Sequence, residues 1–200
     1  MNEKQVIISL SREFGSGGRV IAKTLAERFS LPLYDSNLLS EIAQNRRQDG
    51  SDWSKYDEKP KSKLFSRNVK GYSNSPEENI ANIQFSYLKM KAEAGNSFIV
   101  LGRCSDEVLS QYKEHMVRIF ILADMDKKAA RVAEYENLSL DKAAKLVQKS
   151  NKKRKQYHNY YCETKWGDSR NYDLSINSSA LGMEKTADFI ESFVKEKFGL

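Results

Sequence analysis

Residues 6–29 read VIISLSREFGSGGRVIAKTLAERF, and the order of residue types within them decides the fold. Residues 6–10 are a β-branched and aliphatic run closed by Ser11, the pattern of a short strand buried on both faces. Gly15, Gly17 and Gly18 follow, and then Val20, Ile21, Leu25 and Phe29 recur near helical spacing with Ala22 and Ala26 on the same side. Glycines admit positive φ and let main-chain N–H groups approach an anion, while the helix that follows turns its positive end toward the same point. The stretch therefore reads as strand, phosphate cradle and helix. On the glycines alone, a tight turn without a ligand remains an open alternative.

The rest of the chain repeats the alternation. LPLYD (31–35) is a second strand, with Pro32 tolerated near its start, and Leu38, Leu39, Ile42 and Ala43 form the next helix. Residues 45–75 are polar and turn-rich without a clear period, so they read as a loop-rich insertion. Pro76, Glu77 and Glu78 open a helix expected to run to about Ala94 and stop at Gly95. Three more strands follow at 97–103, 116–124 and 172–177, with helices expected near 104–112, 127–136, 140 to about 160, and 183–198. Strands that are continuous apolar runs, alternating with helices, predict a parallel sheet covered on both faces, and 200 residues suit a single domain.

Bulk composition narrows the chemistry. Apolar residues make up 40% and charged residues 30% of the chain, and the mean hydropathy is negative. The apolar run near the N-terminus is too short for a secretory h-region, so a cytoplasmic protein without a membrane anchor is expected. Cys104 and Cys162 lie far apart without metal-ligand spacing, which argues for reduced structural thiols rather than a disulfide framework or zinc site. A net charge of +6 leaves room for a polyanion, either nucleic acid or a phosphorylated small molecule. The excess gathers in RNVKGYSN (67–74) and KSNKKRKQYHNYYCETK (149–165), although solvated faces account for most such runs. With 27 acidic residues and no helix-turn-helix or zinc signature, nucleic acid is the weaker reading.

Ligands of such sheets collect beyond the carboxyl ends of the strands. A standard P-loop, G-x-x-x-x-G-K-[ST], supplies a lysine to the phosphates and a hydroxyl to magnesium. Here Arg12 stands at the first glycine, Gly18 at the lysine and Arg19 at the hydroxyl residue. Arginines bind phosphate bidentately and stay charged, so Arg12 and Arg19, joined by Arg154 further along the chain, are candidates for the lysine's work. Asp35 ends strand two, where a helix N-cap is the simpler reading. Arg103 ends strand three, where pairing with Asp35 or Asp106 is the structural alternative. Arg131 lies on the helix after strand four, and Lys152, Lys153, Arg154 and Lys155 sit beside tyrosines, either as a lid over phosphates or along a nucleic-acid strand.

Taken in order, SREFGSGGR (11–19), LYDSNLL (33–39), LGRCSDEVL (101–109) and WGDSRNYDLSIN (166–177) resemble the cytidylate kinase-like family of P-loop nucleoside monophosphate kinases. The resemblance implies a three-layer α/β/α P-loop kinase fold with a five-stranded parallel sheet, a helical monophosphate-binding insertion at 45–95 and a short lid at 149–168. It implies transfer of the γ-phosphoryl of ATP to a pyrimidine nucleoside monophosphate or similar small acceptor, with Mg2+ as cofactor. By the same resemblance, Gly15, Ser16, Gly17, Gly18 and Arg19 hold donor phosphates together with Arg131, while Asp35, Gln84 and Arg103 face the acceptor. Arg12, Arg19, Arg154 and Lys153 then carry the catalysis. The chain departs from true cytidylate kinases in lacking the loop lysine and hydroxyl, in placing Leu101 and Cys104 where aspartates flank the arginine, and in having Asn151 at a frequent aspartate position. No metal ligand is specified by the sequence; Asp35 or Asp106 would have to assist. A nucleotide-binding regulatory protein with weak or no catalysis is the alternative function.

Overall fold

The structure, a computed structural model, describes residues 4–46, 68–69, 72–73 and 75–200. In chain order the elements are β1 (Ile7–Arg12), α1 (Gly18–Phe29), β2 (Leu33–Tyr34), α2 (Leu38–Arg46), β3 (Asn68–Val69), β4 (Tyr72–Ser73) and α3 (Pro76–Glu93). They continue with β5 (Phe98–Leu101), α4 (Ser105–Val108), a 3-10 segment (Ser110–His115), β6 (Met116–Leu122), α5 (Met125–Glu136), α6 (Leu140–Tyr161), β7 (Leu174–Asn177) and α7 (Ser178–Phe198). Five strands form one parallel sheet in the order β2-β5-β1-β6-β7. β1 lies at its centre, with Ile8 opposite both Ile99 of β5 and Val117 of β6.

Alternation along β1 divides the core into two layers. Ile8 and Leu10 pack with Ile21 and Leu25 of α1 and with Ile190 and Val194 of α7. Ile7 faces the other way, toward Leu38 and Ile42 of α2 and Leu88 of α3. Both faces of the sheet are thus covered by helices, as apolar runs on parallel strands require. Among the described residues no helix is long and apolar enough to cross a membrane.

Several expected boundaries move for identifiable reasons. β2 is confined to two residues, because Pro32 has no N–H to give and enters the sheet only as an acceptor from Ile99 N, 2.9 Å from its carbonyl oxygen. The helix expected at 104–112 is a short α4 followed by a 3-10 segment. α7 starts at Ser178, ahead of the expected 183, since Asn177 caps it by accepting from Ser179 N at 2.9 Å; the chain breaks at Gly182, φ +77, before the long helical run. Within 45–75 the described residues form an antiparallel pair, β3 with β4; residues 47–67, 70–71 and 74 of the expected insertion lie outside the described residues. The expected lid at 149–168 is regular helix as far as Tyr161, the C-terminal part of α6.

Ile7 and Ile8 are both fully buried but belong to different layers. Ile7→Val and Ile8→Val are each expected to cost roughly 0.5–1.5 kcal/mol in urea unfolding. The double variant should equal the sum within about 0.5 kcal/mol, as for sites without shared partners.

Candidate active site

The loop between β1 and α1 is built from its own backbone and from helices behind it. Ser16 Oγ donates to Glu13 O at 2.8 Å and accepts from Gly18 N at 3.3 Å, while Ser178 Oγ donates to Ser16 O at 2.6 Å. Gly15 has φ +81, and a Cβ there would lie 2.9 Å from Lys128 O. Gly17 has φ +79 and occupies the N-cap of α1, so the cap residue itself has no side chain to bond the first turn. A helix start facing a cleft from such a residue is an anion site by geometry and dipole alike.

The cleft measures about 710 Å³, the size of a small-molecule site. Five arginines line it: Arg12 and Arg19 from the loop and α1, Arg103 after β5, Arg131 on α5 and Arg154 on α6. Arg131 Nη1 donates to Gly15 O at 3.1 Å, and Arg154 Nη1 donates to Arg12 O at 3.1 Å. Arg154 also lies over the Phe14 ring, 5.4 Å from its centroid, and the Phe14 N–H donates to Asn151 Oδ1 at 2.6 Å. Two guanidinium groups from distant helices therefore rest on carbonyls at the ends of the glycine turn.

Arg19 points elsewhere. Its Nε lies 2.9 Å from Asp35 Oδ2, and its side chain is 62% exposed against 7% for Asp35. Asp35 also accepts from Asn37 N at 3.0 Å through Oδ1, so the capping role and the place on the cleft wall coexist in one carboxylate. Arg103 is fully buried with φ +58, in a run with Gly102 at +83 and Cys104 at +53. Left-handed backbone at two non-glycine residues costs about 1–3 kcal/mol each. That turn brings Arg103 to the cleft wall, where its Nη1 donates to Leu101 O at 3.2 Å.

Beneath the loop, Lys128 Nζ meets Glu13 Oε2 at 2.6 Å, and Ala123 N donates to the same oxygen at 3.2 Å. Lys128 is 5% exposed. Neither residue is singled out by the sequence. The available signal was the spacing of Lys128 and Arg131, which places both on one face of α5. Asn151 acts likewise, as an acceptor that fixes the loop at Phe14. Tyr135, 57% exposed and edge-on to Phe14 with centroids 6.2 Å apart, adds an aromatic wall that the sequence reading also missed.

Four expected residues stand apart from the cleft. Ser16 is fully buried and spends its hydroxyl inside the loop. Lys153 is exposed on α6 and does not line the cleft, because adjacent helical residues point about 100° apart. Gln84 is fully buried in α3, away from the cleft lining. Asp106 is paired with His158, Oδ2 to Nε2 at 2.8 Å, and does not line the cleft either. Among the described residues no group of three His, Cys, Asp or Glu side chains is placed to hold a metal. Asp35 is committed to Arg19 and to the start of α2, and the loop turns its one hydroxyl inward.

The Glu13–Lys128 pair sets the loop from below. Glu13→Gln and Lys128→Met are each expected to destabilise by roughly 2–5 kcal/mol, since each strands a charge in a largely buried place. The double variant should lose clearly less than the sum, a coupling read directly from urea unfolding.

Comparison with known proteins places this geometry in context. Residues 7–180 match the sequence profile of the cytidylate kinase-like family. The chain is 27% identical to the cytidylate kinase of Staphylothermus marinus over 198 residues, covering 96% of this chain and 99% of that protein. Against the cytidylate kinase of Pyrobaculum calidifontis it is 24% identical, with 96% and 97% covered. The crystal structure of an uncharacterized protein from Eubacterium ventriosum superposes with a TM-score of 0.76 at 36% identity, covering 96% of this chain and 99% of that one. Shikimate kinase from Bacteroides thetaiotaomicron shares the fold, with a TM-score of 0.56 at 14% identity and 95% and 98% covered. A parallel sheet ordered β2-β5-β1-β6-β7, a glycine cradle at the end of its central strand and a profile match spanning most of the chain agree: the protein belongs to the cytidylate kinase-like family and has a P-loop kinase fold.

Proposed function

We propose that the protein transfers the γ-phosphoryl of ATP to a small acceptor, nominally a pyrimidine nucleoside monophosphate, and that arginines from α5 and α6 replace the loop lysine. The observation that carries this reading is a cleft lined by five arginines, two of which, Arg131 and Arg154, rest on carbonyls of the glycine turn. Phosphoryl transfer asks a protein mainly to align two phosphates, exclude water and neutralise charge spread over the transferred group. The N–H groups of the glycine turn and the first turn of α1 receive the donor phosphates. Arg131 and Arg154 rest on peptide carbonyls, and a phosphate oxygen is the stronger, charge-assisted acceptor, so the exchange is favourable when a triphosphate enters. Arg103 and the Arg19–Asp35 pair lie toward α2 and α4, the side assigned to the acceptor.

One observation favours a second reading, a nucleotide-binding protein without turnover. The loop has neither lysine nor outward hydroxyl, and Ser16, the hydroxyl nearest the glycines, is locked to Glu13 O.

Transfer from ATP to a panel of nucleoside monophosphates separates the two. Arg131→Ala and Arg154→Ala should each lower kcat/KM by about 10²–10³, the scale of losing one donor to developing charge. Lys153→Ala, exposed one position away, should stay within about twofold. Wild-type turnover no higher than that of both arginine variants would sink the transfer reading, and calorimetric binding of ATP without turnover would support the second.

A further inference from the structure

Helix α6 turns one face into the fold and the opposite face to solvent. Ala143 and Val147 pack with Val132 of α5, and Tyr157 packs with Cys104, so the apolar side is covered along both halves of the helix. Seven of its 22 residues are Lys or Arg and one, Asp141, is acidic. The helix alone therefore carries a formal charge equal to that of the whole chain, +6. At about 100° per residue, Lys142, Lys145, Lys149, Lys152 and Lys153 fall within an arc of about 100° around α6, and all five are exposed. Arg154, which reaches the Arg12 carbonyl, points to roughly the opposite side. The lysine row is about 16 Å long, and Gln156 and Tyr160, the latter 41% exposed, continue it toward the end of the helix. Asp141 stands just outside the arc.

Among the described residues the lysines held in ion pairs are Lys127, Lys128, Lys195 and Lys197, and none belongs to this row. Like charges three and four positions apart on a helix repel, a cost that a line of negative charge removes. The apolar side of α6 is spent inside the fold, so the outer face has no apolar stripe to fill a protein groove and no Leu, Phe or Trp to sink into lipid headgroups. What it offers is Coulombic attraction repeated along a line. A phosphodiester backbone is the complement, with one negative charge per nucleotide along each strand. Tyr160 adds an exposed ring at the end of the row, where an unpaired base can stack.

We propose that the outer face of α6 binds single-stranded nucleic acid through its phosphates, with Lys142, Lys145, Lys149, Lys152 and Lys153 as the contacts and Tyr160 as the platform for one base. None of these six residues lines the cleft, so the surface is separate from the phosphoryl-transfer reading and does not rest on it. Lysines that meet only phosphates carry no sequence information, so binding is indifferent to sequence and steeply dependent on salt.

Fluorescence anisotropy of the full chain with a labelled oligothymidylate of about twelve nucleotides tests this. The logarithm of the affinity should fall against the logarithm of salt concentration with a slope of about −3, as four to five phosphate contacts require. Lys145→Gln, Lys149→Gln and Lys152→Gln combined should make that slope shallower by about 2 and weaken binding at low salt at least about tenfold. Tyr160→Ala should weaken binding about fivefold or more with the slope unchanged. Lys23→Gln, Lys89→Gln and Lys185→Gln combined remove the same charge from exposed positions on α1, α3 and α7, and should bind as the wild type does. Glutamine is a good helix former, so both triple variants should keep their helices, which circular dichroism checks. Absence of salt-dependent binding, an equal loss in the two triple variants, or tighter binding of a duplex or of phosphatidylserine vesicles would overturn the proposal. So would loss of binding in Arg131→Ala and Arg154→Ala with the α6 lysine variant unaffected, since the strand would then lie in the cleft.

Discussion

Glu13 and Lys128 meet at 2.6 Å beneath the glycine turn, one at the end of β1 and the other on α5, and most of the cleft depends on that contact. The turn above it has little bulk of its own. Gly15 fits only because its missing Cβ leaves room for the Lys128 backbone, and its positive φ would strain any other residue. The ion pair therefore fixes α5 against β1 at the separation at which the turn closes. It also sets Arg131, on the same face of α5, within reach of Gly15 O. From the far side, Ser178 holds Ser16 O and Asn151 holds Phe14 N, so three helices grip a loop that barely has side chains.

Five arginines facing one cleft would repel one another unless already engaged, and Arg131, Arg154 and Arg19 are engaged in two ways. Arg131 and Arg154 use loop carbonyls, and Arg154 gains the face of Phe14. Arg19 uses a nearly buried carboxylate, Asp35. The cleft thus divides in two: cations resting on neutral acceptors over the turn, and a cation held by a charge on the opposite wall. On the proposed reading the lysine's work falls to Arg131 of α5 and Arg154 of α6; the sequence reading had nominated Arg12 and Arg19, with Arg154 from the lid joining them.

What the sequence disclosed follows from how local each signal was. The strand, turn and helix of residues 6–29 were legible because apolar runs, glycines and helical spacing all act within a few residues. The parallel sheet followed from repetition of that pattern. Contacts such as Lys128 with Glu13 and Asn151 with the Phe14 N–H join polar groups more than a hundred positions apart, and no periodicity marks such pairs. The basic run at 149–165 showed charge but not direction; α6 turns Arg154 inward and leaves Lys153 in solvent. Gln84 was placed on the right helix but faces the interior, because α3 is covered on more sides than its weak amphipathic pattern disclosed. The early start of α7 was hidden by Gly182, which interrupts the helical spacing just after Asn177 has capped it.

A crystal structure of the chain with ATP tests the central claim most directly. The account predicts the β- and γ-phosphates over the N–H groups of residues 15–19, with the Arg131 and Arg154 guanidinium groups moved off Gly15 O and Arg12 O to within about 3 Å of phosphate oxygens. A triphosphate bound with both arginines still on those carbonyls, or bound away from the glycine turn, would contradict it.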